Sequence, residues 1–442
     1  MYLKLALRNA KRSMLDYILY MFSMMMLTSV LCFSNCIANW GDMQAGFQTM
    51  ALPLLILIIM VVFVNYINCF IVKQRAKEFA TYMLLGMEKE KLSFVFLCEL
   101  LLIGLVCFFS GVVFGAGIFS VCCFSVLQGA GEQSIFQMII KSVLQTLAYF
   151  CSVEVLSVLF MKRNIYKMQI VQLISEKQRN QPLRADKKFF WGGMFAIGYF
   201  CYIALLFGIS FMSDEIMLAS VSFVSVPMLL CVFSFYKWLF AMSSSLRLSQ
   251  ADALYQGNRL YQIAQMTTGS KTSANINTIF CVCLIFSAVS FVFGMLLLNP
   301  DFPVFEQARQ KWMGFLQISI CIIFMIIYFF VSSLLQMIGL KSEVRNFRLL
   351  FCMGKNQSEL KILLYRQTLV RLFLPTLMSF VVLLTAAPFI NHKLSLVYST
   401  SICSLTVKSM GGFMVCFLAL CLCYFCMIYM VSARYIKFHT KE

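Results

Sequence analysis

Apolar runs long enough to cross a ~30 Å hydrocarbon core alternate along the chain with short polar clusters, the pattern of repeated membrane-spanning helices. Ten spans are predicted, at about Tyr17–Ala38, Met50–Val72, Leu92–Gln128, Met138–Met161, Phe189–Met212, Ile216–Met242, Ile276–Leu298, Leu316–Leu340, Leu363–Ile390 and Val407–Val431. The third holds 37 residues. At ~1.5 Å per residue it measures roughly 55 Å, so it must protrude, tilt or bend. Its Gly104, Gly111, Gly115 and Gly117 allow close helix packing or a kink. The fold class that follows is an all-α polytopic membrane protein with its spans grouped four, two and four. The expected units are 1–180, 181–250 and 251–442.

One stretch occurs twice. Lys73 to Glu99 aligns without gaps on Lys341 to Gln367 at a constant offset of 268 residues. Phe79 falls on Phe347, Tyr82 on Leu350, Gly86 on Gly354 and Leu92 on Leu360. In each copy a span ends, a basic amphipathic stretch follows, a glycine closes it and another span begins. This order predicts a short helix at the membrane face, ended by a glycine in the left-handed C-cap conformation. After Gly354, Asn356 with Glu359 reads as a capping box for the next helix, and Glu88 is the weaker counterpart after Gly86. Such a helix could simply rest on lipid. Lipid, however, requires no preserved Phe-to-Gly spacing, whereas a socket on another protein does. Phe79, Tyr82, Phe347 and Leu350 are therefore expected to dock a partner, in two copies. Six spans separate corresponding helices, so the two quartets share an orientation and form a parallel repeat about an axis along the membrane normal.

Composition agrees: 61% of residues are hydrophobic and 12% charged, with mean hydropathy +0.85. The net charge of +18 does not signal nucleic acid. Lys and Arg collect in the loops held in the cytoplasm, and only Lys141, Arg309, Lys311, Lys393 and Lys408 fall on the outer side, which places both termini inside. Met1 to Asp16 reads as an interfacial elbow with Lys4, Arg8, Lys11 and Arg12 on one face. A second elbow-like stretch covers Leu254 to Gln265, and Lys162 to Lys188 is a strongly basic connection. The cysteines lie in apolar runs and act as small hydrophobes. Cys423 and Cys426 form a CxxC without a nearby His or acidic ligand, and Cys36 and Cys403 lie toward the outer face.

No catalytic constellation is present. His392 and His439 are the only histidines, and no GxxxxGK[ST] loop occurs, so the chain has no cofactor-binding or metal motif of its own. Among intramembrane polar groups, Glu154 is expected to pair with a basic or polar neighbour. Glu99, Arg366 and Arg371 lie near cytoplasmic helix ends, where snorkelling lessens their cost. Asn65 and Asn68 are expected to stitch helices together.

The elbow Arg8-Asn9-Ala10-Lys11-Arg12-Ser13 with Asp16-Tyr17 resembles the start of FtsX-like ABC-transporter permeases. So does Lys77-Glu78-Phe79 followed by Leu84-Leu85-Gly86-Met87 and then Glu99-Leu100-Leu101-Leu102-Ile103-Gly104. The layout and Tyr255-Gln256-Gly257-Asn258-Arg259-Leu260 are similar to the bacitracin- and lantibiotic-resistance branch of Gram-positive bacteria. The resemblance implies the permease subunit of a mechanotransmission-type transporter in the bacterial plasma membrane. Two copies of a separate ABC ATPase would bind ATP and Mg, with one permease per complex and a sensor histidine kinase as a further partner. It also implies that Lys77, Glu78, Phe79, Tyr82, Leu85, Gly86 and Met87, with Asn346, Phe347, Leu350 and Gly354, form two coupling helices. The branch's large extracellular domain is missing: Asn299 to Phe315 is only 17 residues. Two alternatives remain at this point, a permease for lipoprotein release or control of an extracytoplasmic partner, and an ion-coupled secondary exporter.

Overall fold

In a bilayer every backbone N–H and C=O must find its partner inside the chain, and a continuous apolar run does this locally only as a helix. The computed structural model describes residues 14–39, 47–126, 132–167, 187–211, 214–248, 259–267, 270–300, 307–397 and 400–441, and every regular element among them is α-helical. The helices are α1 Met14–Ala38, α2 Phe47–Gln74, α3 Ala76–Leu84, α4 Lys89–Val126, α5 Glu132–Lys167 and α6 Lys188–Phe211. They continue as α7 Asp214–Leu248, α8 Arg259–Thr267, α9 Ser270–Leu298, α10 Gln307–Cys352, α11 Gln357–Val397 and α12 Thr400–Lys441. Among the described residues nine stretches are long and apolar enough to cross a membrane, and the 28-residue α2 adds the shorter apolar stretch Ile56–Cys69. Together they occupy the ten expected span positions of a polytopic membrane protein. The elbow at residues 1–13, most of the basic connection 162–188 and the motif residues Tyr255 to Asn258 lie outside the described residues.

The chain divides into two compact units, Met1–Asn180 and Gln181–Glu442, so α6 and α7 belong to the same unit as α8 to α12. In the first unit α1 packs against α2, α4 and α5. Two of the four glycines in α4 serve this packing. A Cβ on Gly111 would lie 2.7 Å from the Met25 carbonyl oxygen, and one on Gly115 would press into the Ser29 carbonyl. The expected close approach is therefore a GxxxG contact, and it is made to α1. Gly104 instead faces Glu154, and Gly117 meets open space. Polar side chains join α5 to its neighbours: Asn35 Nδ2 donates to Thr146 Oγ1 (2.8 Å), and Asn39 Nδ2 to Ser142 Oγ (3.0 Å) and Gln145 Oε1 (2.9 Å). Asn68 Nδ2 donates to Ser157 Oγ at 2.5 Å.

In the second unit α9 takes the central place, packed on α7, α10, α11 and α12. Its closest crossing is with α10, where Gly294 and Gly314 sit back to back and each Cβ would lie 3.1–3.2 Å from the other's carbonyl oxygen. The buried rings of Phe280, Tyr328 and Phe417 fill the interior, with centroids 5.1 and 5.4 Å apart along the series. The long α11 carries Pro375 and Pro388 inside it. Tyr236 Oη donates to the carbonyls of Leu374 and Pro375 (3.3 Å each), Tyr328 Oη to that of Leu372 (3.4 Å) and Tyr202 Oη to that of Val382 (3.2 Å). Three different helices thus hold α11 by its backbone.

Candidate coupling site

The first tip begins where α2 ends. Arg75 leaves helical geometry (φ −93°, ψ 11°), and α3 starts at the next residue. Nine residues later the chain turns over a C-terminal cap. Gly86 has φ +90°, its N–H reaches the Met83 carbonyl (3.1 Å), and the Met87 N–H reaches back to that of Tyr82 (3.0 Å). This bond pair is a Schellman motif, which needs a residue without a Cβ in the left-handed position.

The second tip ends in the same way. Gly354 has φ +90°, its N–H bonds to the Phe351 carbonyl (3.0 Å), and the Lys355 N–H reaches that of Leu350 (3.2 Å). Sequence periodicity and the glycine were sufficient to place both caps. At the following helix starts the Asn356 and Glu88 backbone carbonyls accept the first intrahelical bonds, from the N–H of Leu360 (3.1 Å) and of Leu92 (3.0 Å), as an N-cap position does. The Glu359 carboxylate pairs with Lys355 (3.3 Å), and Glu88 pairs with Lys91 (3.1 Å).

The phenylalanines expected to face a partner are buried within their own units. Phe79 is 4% exposed and meets Phe96 of α4 edge to face at 5.2 Å. Phe347 is 0% exposed among Leu340, Leu360, Leu363 and Leu364, with Tyr261 and Tyr429 packed alongside. The reason is geometric: in each copy the Phe lies seven residues before the glycine, on the helix face that folds onto the next span. Both phenylalanines anchor their tips. Tyr82 and Leu350 are half-buried, as is Met87. What the tips present outward is the apolar corner itself. Leu84 and Leu85 are 68% and 79% exposed, Met353 is 72% exposed, and Leu349, Phe351 and both glycines are exposed. Leu85 and Met353 occupy matched positions. Glu78 and Asn346 are also exposed, and the Lys77 side chain lies outside the described residues.

Glu99 departs from the expected snorkelling group. It is 1% exposed and takes Arg75 Nη1 on both carboxylate oxygens (2.9 Å each). Arg75 is buried as well, donates Nε to Glu78 (2.8 Å) and has its guanidinium 5.8 Å from the Phe79 ring centre. Arg75 was missed by the sequence reading. The signal available was an Arg at the end of one span, between Lys73 and Lys77, and a Glu inside the next, 24 residues apart. Glu154 is buried with Oε1 against Gly104, near the Tyr20 hydroxyl, and no Lys or Arg among the described residues pairs with it. Asn68 stitches α2 to α5, whereas the Asn65 oxygen takes only a weak contact from Cys69 one turn on (3.9 Å). Among the described residues Cys36, Cys403, Cys423 and Cys426 form no disulfide.

No curated protein matches the chain. Residues 50–170, which contain most of α2, all of α3, α4 and α5, and the whole first tip, match the family model of the FtsX-like permease C-terminal domain.

Proposed function

We propose that the chain is the permease subunit of an ATP-driven ABC transporter, with its two tips seated on two copies of a separate ATPase. The observation that carries this reading is the pair of matched Schellman corners that leave Leu85 and Met353 exposed. An exposed apolar side chain at a rigid, capped turn is suited to a pocket on another protein. The family match over residues 50–170 points to the same class. ATP and Mg would bind in the partner, and the basic loops would put the tips and both termini on the cytoplasmic face of a bacterial plasma membrane. The mechanical stroke would enter the bilayer through α4 and α11, each longer than the hydrocarbon core requires.

The substrate class suggested by the resemblance is an amphipathic peptide or lipid-linked antibiotic handled at the outer face, with a sensor histidine kinase as a further partner. The short Asn299–Phe315 connection favours a second reading, in which the stroke serves lipoprotein release or an extracytoplasmic partner.

Leu85→Asp combined with Met353→Asp tests the docking role. Both side chains are exposed, so the spans should fold normally while co-purification of the ATPase is lost. Stoichiometric ATPase retained by the double variant, or a transport-active permease with no ATPase bound, would refute the proposal.

A further inference from the structure

The two tips share a cap but differ in how each is joined to its spans. In the first, the chain breaks at Arg75, so α3 is a separate helix and not a continuation of α2. Two contacts then tie α3 and its break point to α4: the ion pair in which Arg75 Nη1 meets both Glu99 carboxylate oxygens, and the Phe79–Phe96 ring contact. In the second, α10 runs unbroken from Gln307 to Cys352, so the tip is the end of the span itself. The residues matched to Arg75 and Glu99 are Glu343 and Gln367, which cannot form that pair. Phe347 sits there in an apolar cluster of leucines with Tyr261 and Tyr429 alongside.

We infer that Arg75 and Glu99 are positioning residues that make the first tip move with α4 and independently of α2, whereas the second tip moves as one rod with α10. The inference deepens the permease reading and rests on it for its consequence, an inequivalent response of the two tips to the ATPase pair. The physical ground is directional. An apolar cluster tolerates sliding, but a planar guanidinium that gives Nη1 to one carboxylate and Nε to another is fixed in both distance and angle. A buried ion pair also strongly resists separation, because parting the charges leaves each of them desolvated. Glu78, which is exposed, takes the Nε donor, so Arg75 is held from α3 and α4 together.

The test uses the full permease in lipid nanodiscs, with hydrogen exchange read separately over 76–84 and 342–352. Glu99→Gln should speed exchange of 76–84 on the order of 100-fold while 342–352 stays at the wild-type rate. Glu343→Gln, the matched change in the other copy, should alter neither segment. Unchanged exchange in 76–84, or equal acceleration in both segments, overturns the inference.

Because a lone buried charge can disrupt folding, Arg75→Met with Glu99→Met serves as the second variant. It should recover the thermal midpoint but keep 76–84 exchanging faster than wild type, and permease-stimulated ATP hydrolysis should stay low while the ATPase still co-purifies. Wild-type exchange and stimulation in this variant would show that apolar filling suffices and the pair positions nothing. If the wild-type permease binds no ATPase, the functional reading fails, and the exchange rates still decide whether the ion pair tethers α3.

Discussion

Replacing Gly111 by Ala isolates the contact that sets the distance between α1 and α4. The new Cβ would lie 2.7 Å from the Met25 carbonyl oxygen and 2.8 Å from Thr28 Cβ, where ordinary contact begins at 3.4 Å. The obstacle is backbone, which cannot rotate away, so the helices must part by about 0.7 Å at this level. A gap of that size forfeits roughly a quarter to a half of each dispersion contact along the seam. Overpacking of this kind costs about 1–3 kcal/mol. The helix propensity gained by Ala returns ~1 kcal/mol, which leaves a net loss of up to about 2 kcal/mol. For a unit of this size that corresponds to a fall of up to about 8 °C in thermal midpoint.

Gly115→Ala should behave alike, since it meets the Ser29 carbonyl more closely still. Combining the two should cost less than their sum, because the first change has already displaced α1. Gly117→Ala is the control: nothing lies within 4 Å of its Cβ, so the midpoint should hold or rise slightly. The assay is thermal unfolding of the purified protein in one detergent, followed by the loss of the monodisperse peak. Equal midpoints for Gly111→Ala, Gly115→Ala and Gly117→Ala would refute the packing argument.

Phe79→Ala should lower stability by ~3–5 kcal/mol, whereas Leu85→Ala should change it by no more than ~0.5 kcal/mol; paired melting curves check the contrast between anchor and exposed corner. Gly86→Ala and Gly354→Ala force a side chain into the left-handed region and should each cost ~1–2 kcal/mol, with Asn at the same positions partly restoring the midpoint. Tyr236→Phe removes the hydroxyl that bonds α11 beside Pro375 and should lower the melting midpoint by the equivalent of ~0.5–1.5 kcal/mol. An unchanged midpoint would show that α11 needs no such support beside Pro375.

Helix existence, the span positions and both glycine caps were legible in the residues, because each depends on local chemistry. A run of apolar residues in lipid satisfies its backbone only as a helix, and Gly86 and Gly354 are the residues that a left-handed cap selects. The duplication was legible for the same reason, since the Phe-to-Gly spacing survives in both copies. Which face of each helix turns inward was not. Lipid is as apolar as a protein interior, so a spanning helix carries little amphipathic signal to reveal its contact side. Only the tertiary structure therefore decided that Gly111 and Gly115 serve α1 while Gly117 serves nothing, and that the second unit makes its closest crossing between α9 and α10. It alone turned Phe79 and Phe347 into anchors and left Leu85 and Met353 outside. It also joined Arg75 to Glu99, because a pairing between two spans depends on where each helix ends and how far the chain bends there.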